Sequence, residues 1–274
     1  MKVYISADME GATGVVAWKH VSPKESDYGR MRKLLTGDVN AAIRGAFRAG
    51  ASEVLVNDAH GPMVNILLEE LDSRARLISG HNKHLCQMEG INDSFDACFL
   101  VAYHGREGGA DAVLNHTLLG RTVWEIRLNG KPVGETAISA ALAGYYGVPV
   151  VLVTGDQLVS EEAASLIPGV RTVVVKEALD RYVACCLAPE RTATMIEEAA
   201  AEALTNRHQV QPFVVEGMVE FEVDFKTTAQ AHAAALLPMV RQVSPKTVAL
   251  QGRDYLEAFR LLFGALLLGR SVTE

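Results

Sequence analysis

The first sixty residues alternate in a way that leaves few folds open. An apolar run, VYISAD, starts at Val3 and leads into the stretch SADMEGATG. From Met31 to Ala49 apolar residues recur as Met31, Leu34, Leu35, Val39, Ile43, Ala46 and Phe47. Steps of three and four put them on one face of a helix. Gly50 stands where a helix C-terminus favours a residue free to turn left-handed. A second apolar run, SEVLVND, follows at once. Strand, helix and strand with short connections make a βαβ unit, whose two strands lie parallel in one sheet.

The pattern continues. ARLIS (75–79) and DACFLVAY (96–103) are further strand candidates, and TVWEIRLNGKPVGE (122–135) reads as a hairpin turning at Asn129-Gly130. Glu135 to Tyr146 is rich in alanine and stops at Gly147, which predicts a helix. PVVLVTGD (149–156) is apolar without alternation, as strands inside a parallel sheet are. A short helix (158–166) and the strand RTVVVK (171–176) come next. After residue 185 the alternation changes. A long Ala/Glu-rich helix is predicted from Pro189 to Asn206, then FVVEGMVEFEVDF (213–225) alternates apolar and charged residues like an antiparallel strand with one wet face. A helix, a strand and a final apolar helix complete the chain. The expected fold is α/β: a mainly parallel sheet flanked by helices over residues 1–190, with a smaller α+β part, 191–274, packed on it. No Pro/Gly/Ser linker marks the boundary, so it is soft.

Composition narrows the function classes. The 274 residues are 49% hydrophobic and 22% charged, an ordinary globular balance. A net charge of -7 disfavours broad binding to nucleic acid, which needs a basic surface. The N-terminus enters a strand directly, without the apolar core of a secretory signal. LLFGALLLG (261–269) is too short to span a bilayer and contains glycine, so it reads as a core helix and no membrane partner is expected. Cys86, Cys98, Cys185 and Cys186 form no CxxC pair, and a reduced, cytoplasmic setting is the simplest reading.

Ligands of open α/β sheets bind beyond the carboxyl ends of the strands. The first strand leaves through Asp8-Met9-Glu10-Gly11 and the second through Asn57-Asp58-Ala59-His60-Gly61. Later exits are Tyr103-His104-Gly105 and Thr154-Gly155-Asp156. Asn115-His116-Thr117 follows the third exit, and Gly134-Glu135 opens a helix. Asp8 and Glu10 are two apart and point to the same side of an extended chain. Histidines and carboxylates on one rim match the ligand preference of zinc and similar ions, and a carboxylate can bridge two of them.

Each feature also has a plainer explanation. A strand-end aspartate can be a turn or N-cap residue, and Glu135 can be a first-turn acid favoured by the helix dipole. A phosphate-binding turn at DMEGATG is disfavoured, because two acids would repel the phosphate. His81 and His84, spaced as HxxH, are a rival metal pair with no carboxylate beside them. There is no GxSxG, and no cysteine has a catalytic context.

Taken in order, SADMEG, NDAHG (57–61), YHG (103–105), NHT (115–117) and GET (134–136) resemble the D-aminopeptidase family of the dipeptide-transport operon, a group of zinc metallopeptidases. The resemblance covers roughly the first 160 residues; the last third contributes only length and general character. It implies two zinc ions per subunit. Asp8 would bridge them, Glu10 and His60 would complete one site, and His104 and Glu135 the other. His116 would be the catalytic side chain, as acid, base or nucleophile. The family's ring-like oligomers, decamers of stacked pentamers, imply a homo-oligomer whose active sites face an inner chamber.

The function expected is therefore an aminopeptidase that hydrolyses short peptides or amides with a free N-terminal, D-configured residue. Another two-metal amidase or esterase for small acyl compounds, and a non-enzymatic small-ligand binding protein, remain open as alternatives. Chirality depends on a pocket wall that no sequence segment spells out.

Overall fold

The computed structural model describes residues 1–272. In chain order it begins β1 (Lys2–Ala7), α1 (Trp18–Val21), α2 (Tyr28–Arg48), β2 (Glu53–Asp58), β3 (Ala75–Ile78) and β4 (Ala97–Val101). A hairpin, β5 (Val123–Leu128) and β6 (Lys131–Pro132), precedes α3 (Glu135–Tyr145), β7 (Val150–Gly155), α4 (Gln157–Leu166) and β8 (Arg171–Val174). A second hairpin, β9 (Lys176–Asp180) and β10 (Val183–Cys186), leads to α5 (Pro189–Thr205). The chain closes with β11 (Val219–Phe225), α6 (Thr228–Ala234), β12 (Val240–Gln242), β13 (Thr247–Gly252) and α7 (Tyr255–Arg270).

Six strands form one parallel sheet in the order β3-β2-β1-β4-β7-β8. The chain winds outward from β1 to β3, returns to β4 on the other side of β1, and winds outward again. The order therefore reverses between β1 and β4, and a crevice opens there beyond the strand ends. β1, β4 and β7 are buried almost throughout, as strands covered on both faces are. α5 packs on α2 and on β7 and β8. A Cβ on Gly45 would stand 2.3 Å from the carbonyl oxygen of Glu197, so the α2–α5 contact depends on a bare glycine.

The second sheet is antiparallel, β12-β13-β11-β5-β6. Its central strand, β11, buries every second residue. The hairpin that precedes residue 190 thus pairs with a strand that follows it. α7 covers this sheet and also packs on α3, where the Tyr255 hydroxyl donates to the Ile138 carbonyl at 2.8 Å. Among the described residues no helix is long and apolar enough to cross a membrane.

Most expected elements are present, including the hairpin at Asn129-Gly130 and the left-handed Gly50 and Gly147 that end α2 and α3. Two details differ. The run RTVVVK breaks at Val175, and Lys176 opens the β9–β10 hairpin. The alternating segment forms a strand only from Val219, because Gly217 turns the chain at φ +74. The HNKH segment is loop, and both His81 and His84 are exposed.

Candidate metal centre

Asp8 and Glu10 leave the end of β1, and His104 leaves β4, so the crevice between those strands receives two acids and an imidazole directly. His60 follows β2, Glu135 is the first residue of α3, and His116 lies in the long connection from β4 to β5. All six converge. Asp8, Glu10, His104 and Glu135 are buried, with exposures of 1–2%.

Asp8 divides its two oxygens. Oδ1 lies 3.5 Å from His60 Nδ1 and Oδ2 lies 3.3 Å from His104 Nε2. Glu10 Oε2 is 2.8 Å from His60 Nδ1, and Glu135 Oε1 is 3.3 Å from His104 Nε2. His116 Nε2 stands farther back, 3.9 Å from Glu10 Oε1 and 3.7 Å from Glu135 Oε1. Its ring stacks on His104 at 4.2 Å and makes a T-shaped contact with the Trp18 ring at 5.5 Å.

Each histidine ring is oriented from behind by a main-chain carbonyl. His60 Nε2 faces Val21 O at 3.0 Å, His104 Nδ1 faces Gly105 O at 2.9 Å, and His116 Nδ1 faces Leu114 O at 2.9 Å. Opposite a carbonyl a ring nitrogen must carry the proton and donate it. In the neutral ring, the nitrogen turned towards the carboxylates is then bare. His60 Nδ1 and Glu10 Oε2 are two acceptors in contact, an arrangement that needs a proton or a cation between them.

The donor set therefore fits a metal. Among the described residues, eight buried side-chain atoms lack a hydrogen-bond partner, and four of them are Asp8 Oδ2, both Glu10 oxygens and His104 Nε2. Two overlapping groups offer ligand atoms within 4.8 Å of one another: Asp8, Glu10 and His104, and His104, His116 and Glu135. His81 and His84 belong to neither group.

Without a cation, protons do the same electrostatic work. Burial acts to raise the Asp8 pKa, but the imidazoles of His104 and His60 outweigh it and hold Asp8 below the usual carboxylate range. Burial opposes Glu135 ionisation as well, and His104 overcomes it. Conversely, burial disfavours charge on His60 and His104, yet the surrounding carboxylates raise both well above the ordinary imidazole value.

The surrounding chain is stiff. A Cβ on Gly11 would fall 1.8 Å from the Tyr103 carbonyl oxygen, and one on Gly155 would fall 2.1 Å from the same atom. The exit of β4 is thus pressed between two glycines. Ala102, Leu114, Leu118 and Cys86 are in the left-handed region, which L residues enter only when their surroundings force it. Leu118 N–H donates to Glu135 Oε1 at 2.7 Å, and the Gln87 amide donates to the other oxygen.

The six residues named from the sequence meet in one basin, whereas two other strand-exit acids do not. Asp58 ties down the following loop, accepting from Asn65 N at 2.6 Å and Ile66 N at 2.7 Å. Asp156 is the N-cap of α4, accepting from Val159 N at 3.0 Å.

Sequence reasoning missed Lys176. It is fully buried, and its ammonium donates to the carbonyls of Glu10 (2.5 Å), Ala12 (2.9 Å) and Val15 (2.6 Å). Burial pushes its pKa down to about 8. The only trace in the sequence is a lysine closing an apolar strand. Gln87 left no trace.

The chain resembles known proteins over nearly its whole length. A model of the Peptidase M55 family, described as D-aminopeptidase, matches residues 1–263. A D-aminopeptidase of Bacillus subtilis (strain 168) is 36% identical over 263 residues, covering 96% of this chain and 95% of the relative. Among solved structures, the Zn-dependent D-aminopeptidase DppA from Bacillus subtilis, described as a self-compartmentalizing protease, superposes with a TM-score of 0.97. It is 35% identical, and each chain is covered in full.

Proposed function

The chain belongs to the D-aminopeptidase family, and from that premise we propose that it is a zinc-dependent aminopeptidase. It hydrolyses short peptides or amides that carry a free N-terminal, D-configured residue. Two zinc ions would be held per subunit, with Asp8 shared between them, Glu10 and His60 on one side and His104 and Glu135 on the other. The observation that carries this reading is the division of Asp8, whose two oxygens face two different imidazoles. Charge supports the count. Three carboxylates with three neutral imidazoles stay negative with one divalent cation. With two they become positive by one unit, which suits the negative charge of a tetrahedral transition state.

When bound, zinc supplies Lewis acidity towards a carbonyl oxygen and lowers the pKa of the water it holds. The chain's own residues do the rest. The carbonyl-held imidazoles of His60 and His104 keep their ligand nitrogens bare and aimed. Lys176 fixes the loop that bears Glu10, while Leu118 N–H and Gln87 fix Glu135. His116 stands back from both Asp8-centred pairs and is free to move a proton between the attacking water and the departing amine. Its ring contacts both His104 and Trp18, which restrict the direction of that transfer.

Purified protein should contain close to two zinc ions per subunit and should cleave D-Ala-D-Ala faster than L-Ala-L-Ala. Asp8→Ala should empty both positions. His116→Ala should keep zinc and lose most turnover. Full activity in metal-free protein would sink the proposal. Preference for simple amides or esters over dipeptides in the same panel would move it to a general two-metal hydrolase. We further propose a cytoplasmic, ring-like homo-oligomer, for which light scattering should give a mass many times the 29.6 kDa of one chain.

A further inference from the structure

His116 sits in a long loop with no regular structure, yet its ring is placed tightly. Part of the support comes from a distant stretch of chain. The β9–β10 hairpin turns at Arg181-Tyr182 and reaches this loop with its tip. The Leu114 N–H donates to the Arg181 carbonyl at 2.9 Å. The Arg181 guanidinium donates to the Asn115 carbonyl at 2.7 Å. Leu114 is the residue whose own carbonyl accepts from His116 Nδ1, and its φ is +51. Arg181 thus grips both residues that precede His116.

A second grip holds the other side. Glu107 N–H donates to Thr117 Oγ1 at 3.2 Å, and Glu107 Oε1 lies 3.7 Å from Arg181 Nη1. Glu107 is 5% exposed and Asn115 is 7% exposed. Of the eight unpartnered buried atoms, three belong to this group: Glu107 Oε2, Asn115 Oδ1 and Arg181 Nε. Polar atoms left open beside a working side chain leave the pair room to tighten as that side chain takes up its task.

We propose that Arg181, paired with Glu107, is a positioning residue for His116. Its guanidinium acts through the Asn115 carbonyl, beside the Leu114 N–H that its own main-chain carbonyl holds, and sets the direction of the His116 ring in the hydrolytic step. The inference rests on the catalytic reading of His116, and the test separates the two. Zinc-loaded wild type, Arg181→Ala, Arg181→Lys, His116→Ala and the double variant Arg181→Ala/His116→Ala are compared for zinc content, kcat and KM on D-Ala-D-Ala. Arg181→Ala should keep its zinc, hold KM within about twofold and lose about 10- to 100-fold in kcat, the scale of a small misplacement of a reacting group. Arg181→Lys, which retains a donor for the Asn115 carbonyl, should recover part of the loss. The double variant should be no slower than His116→Ala, because the two residues act as one unit. Wild-type kcat in Arg181→Ala, loss of its zinc, or multiplying effects in the double variant would each overturn the inference while leaving His116 in place. Wild-type turnover in His116→Ala would remove the reading of His116 and this inference with it.

Discussion

Each of the three site histidines gives one ring nitrogen to a main-chain carbonyl, and that fixes which protons must leave when a metal arrives. In the metal-free protein the carboxylates raise His60 and His104 well above the ordinary imidazole value, against the opposing effect of burial, and so favour the protonated form of both. A raised folded-state pKa contributes stability below the unfolded value near 6.5, and that contribution is lost as pH rises through the folded pKa. A metal ligand must be the neutral imidazole, so zinc competes with these protons and binds more weakly as pH falls. Zinc loading at pH 7 should therefore release about two protons per subunit, one from each of these histidines. Calorimetry in buffers of different ionisation enthalpy measures the count, and a value near zero would contradict it. At this scale the ligand candidates were legible because acids and histidines before glycine at strand exits have a reason to be together. Lys176 and Arg181 were not, because each acts largely on carbonyl oxygens, which every residue has.

Between elements, the decisive contact is the one that brings the ends of β1 and β4 together. Gly11 has an ordinary backbone conformation; what it lacks is room, with the Tyr103 carbonyl where a Cβ would be. Gly11→Ala should push the two exits apart, separating Asp8 and Glu10 from His104. We expect roughly 3 kcal/mol or more of lost stability and loss of zinc at both positions. Gly37→Ala is the control. Gly37 is exposed in the middle of α2 with open space around it, and the change should raise stability by about 0.5–1 kcal/mol with zinc unaffected. Thermal melts and metal analysis of the two variants decide the matter; equal behaviour would refute the crowding argument. The long periodic elements were readable from spacing alone. The β9–β10 hairpin was not, since its short strands carry exposed Leu179 and Val183 without the alternation that marks a half-buried strand.

For the whole molecule, the parallel sheet could be anticipated because βαβ units admit little else. The partner of the β5–β6 hairpin could not. Its turn dipeptide announces a hairpin, but nothing local says that it will pair with β11, some ninety residues later. The same topology has a consequence in time. The ligand residues run from Asp8 to Glu135 and lie on opposite sides of the strand-order reversal, so no short fragment of the chain holds the basin. Parallel pairings close long loops before they are rewarded, and they form late. Metal capture is therefore expected to come late in maturation, after β1, β2 and β4 have paired, and not to act as a nucleus for it. When the denatured chain is diluted into buffer with zinc and a metal indicator, helical signal should return first and zinc uptake should lag behind it. Zinc taken up at the rate of the earliest helical phase would show the opposite order. A newly made chain would thus pass its most vulnerable interval as a hydrolase without its metal, and become active only once its sheet is complete.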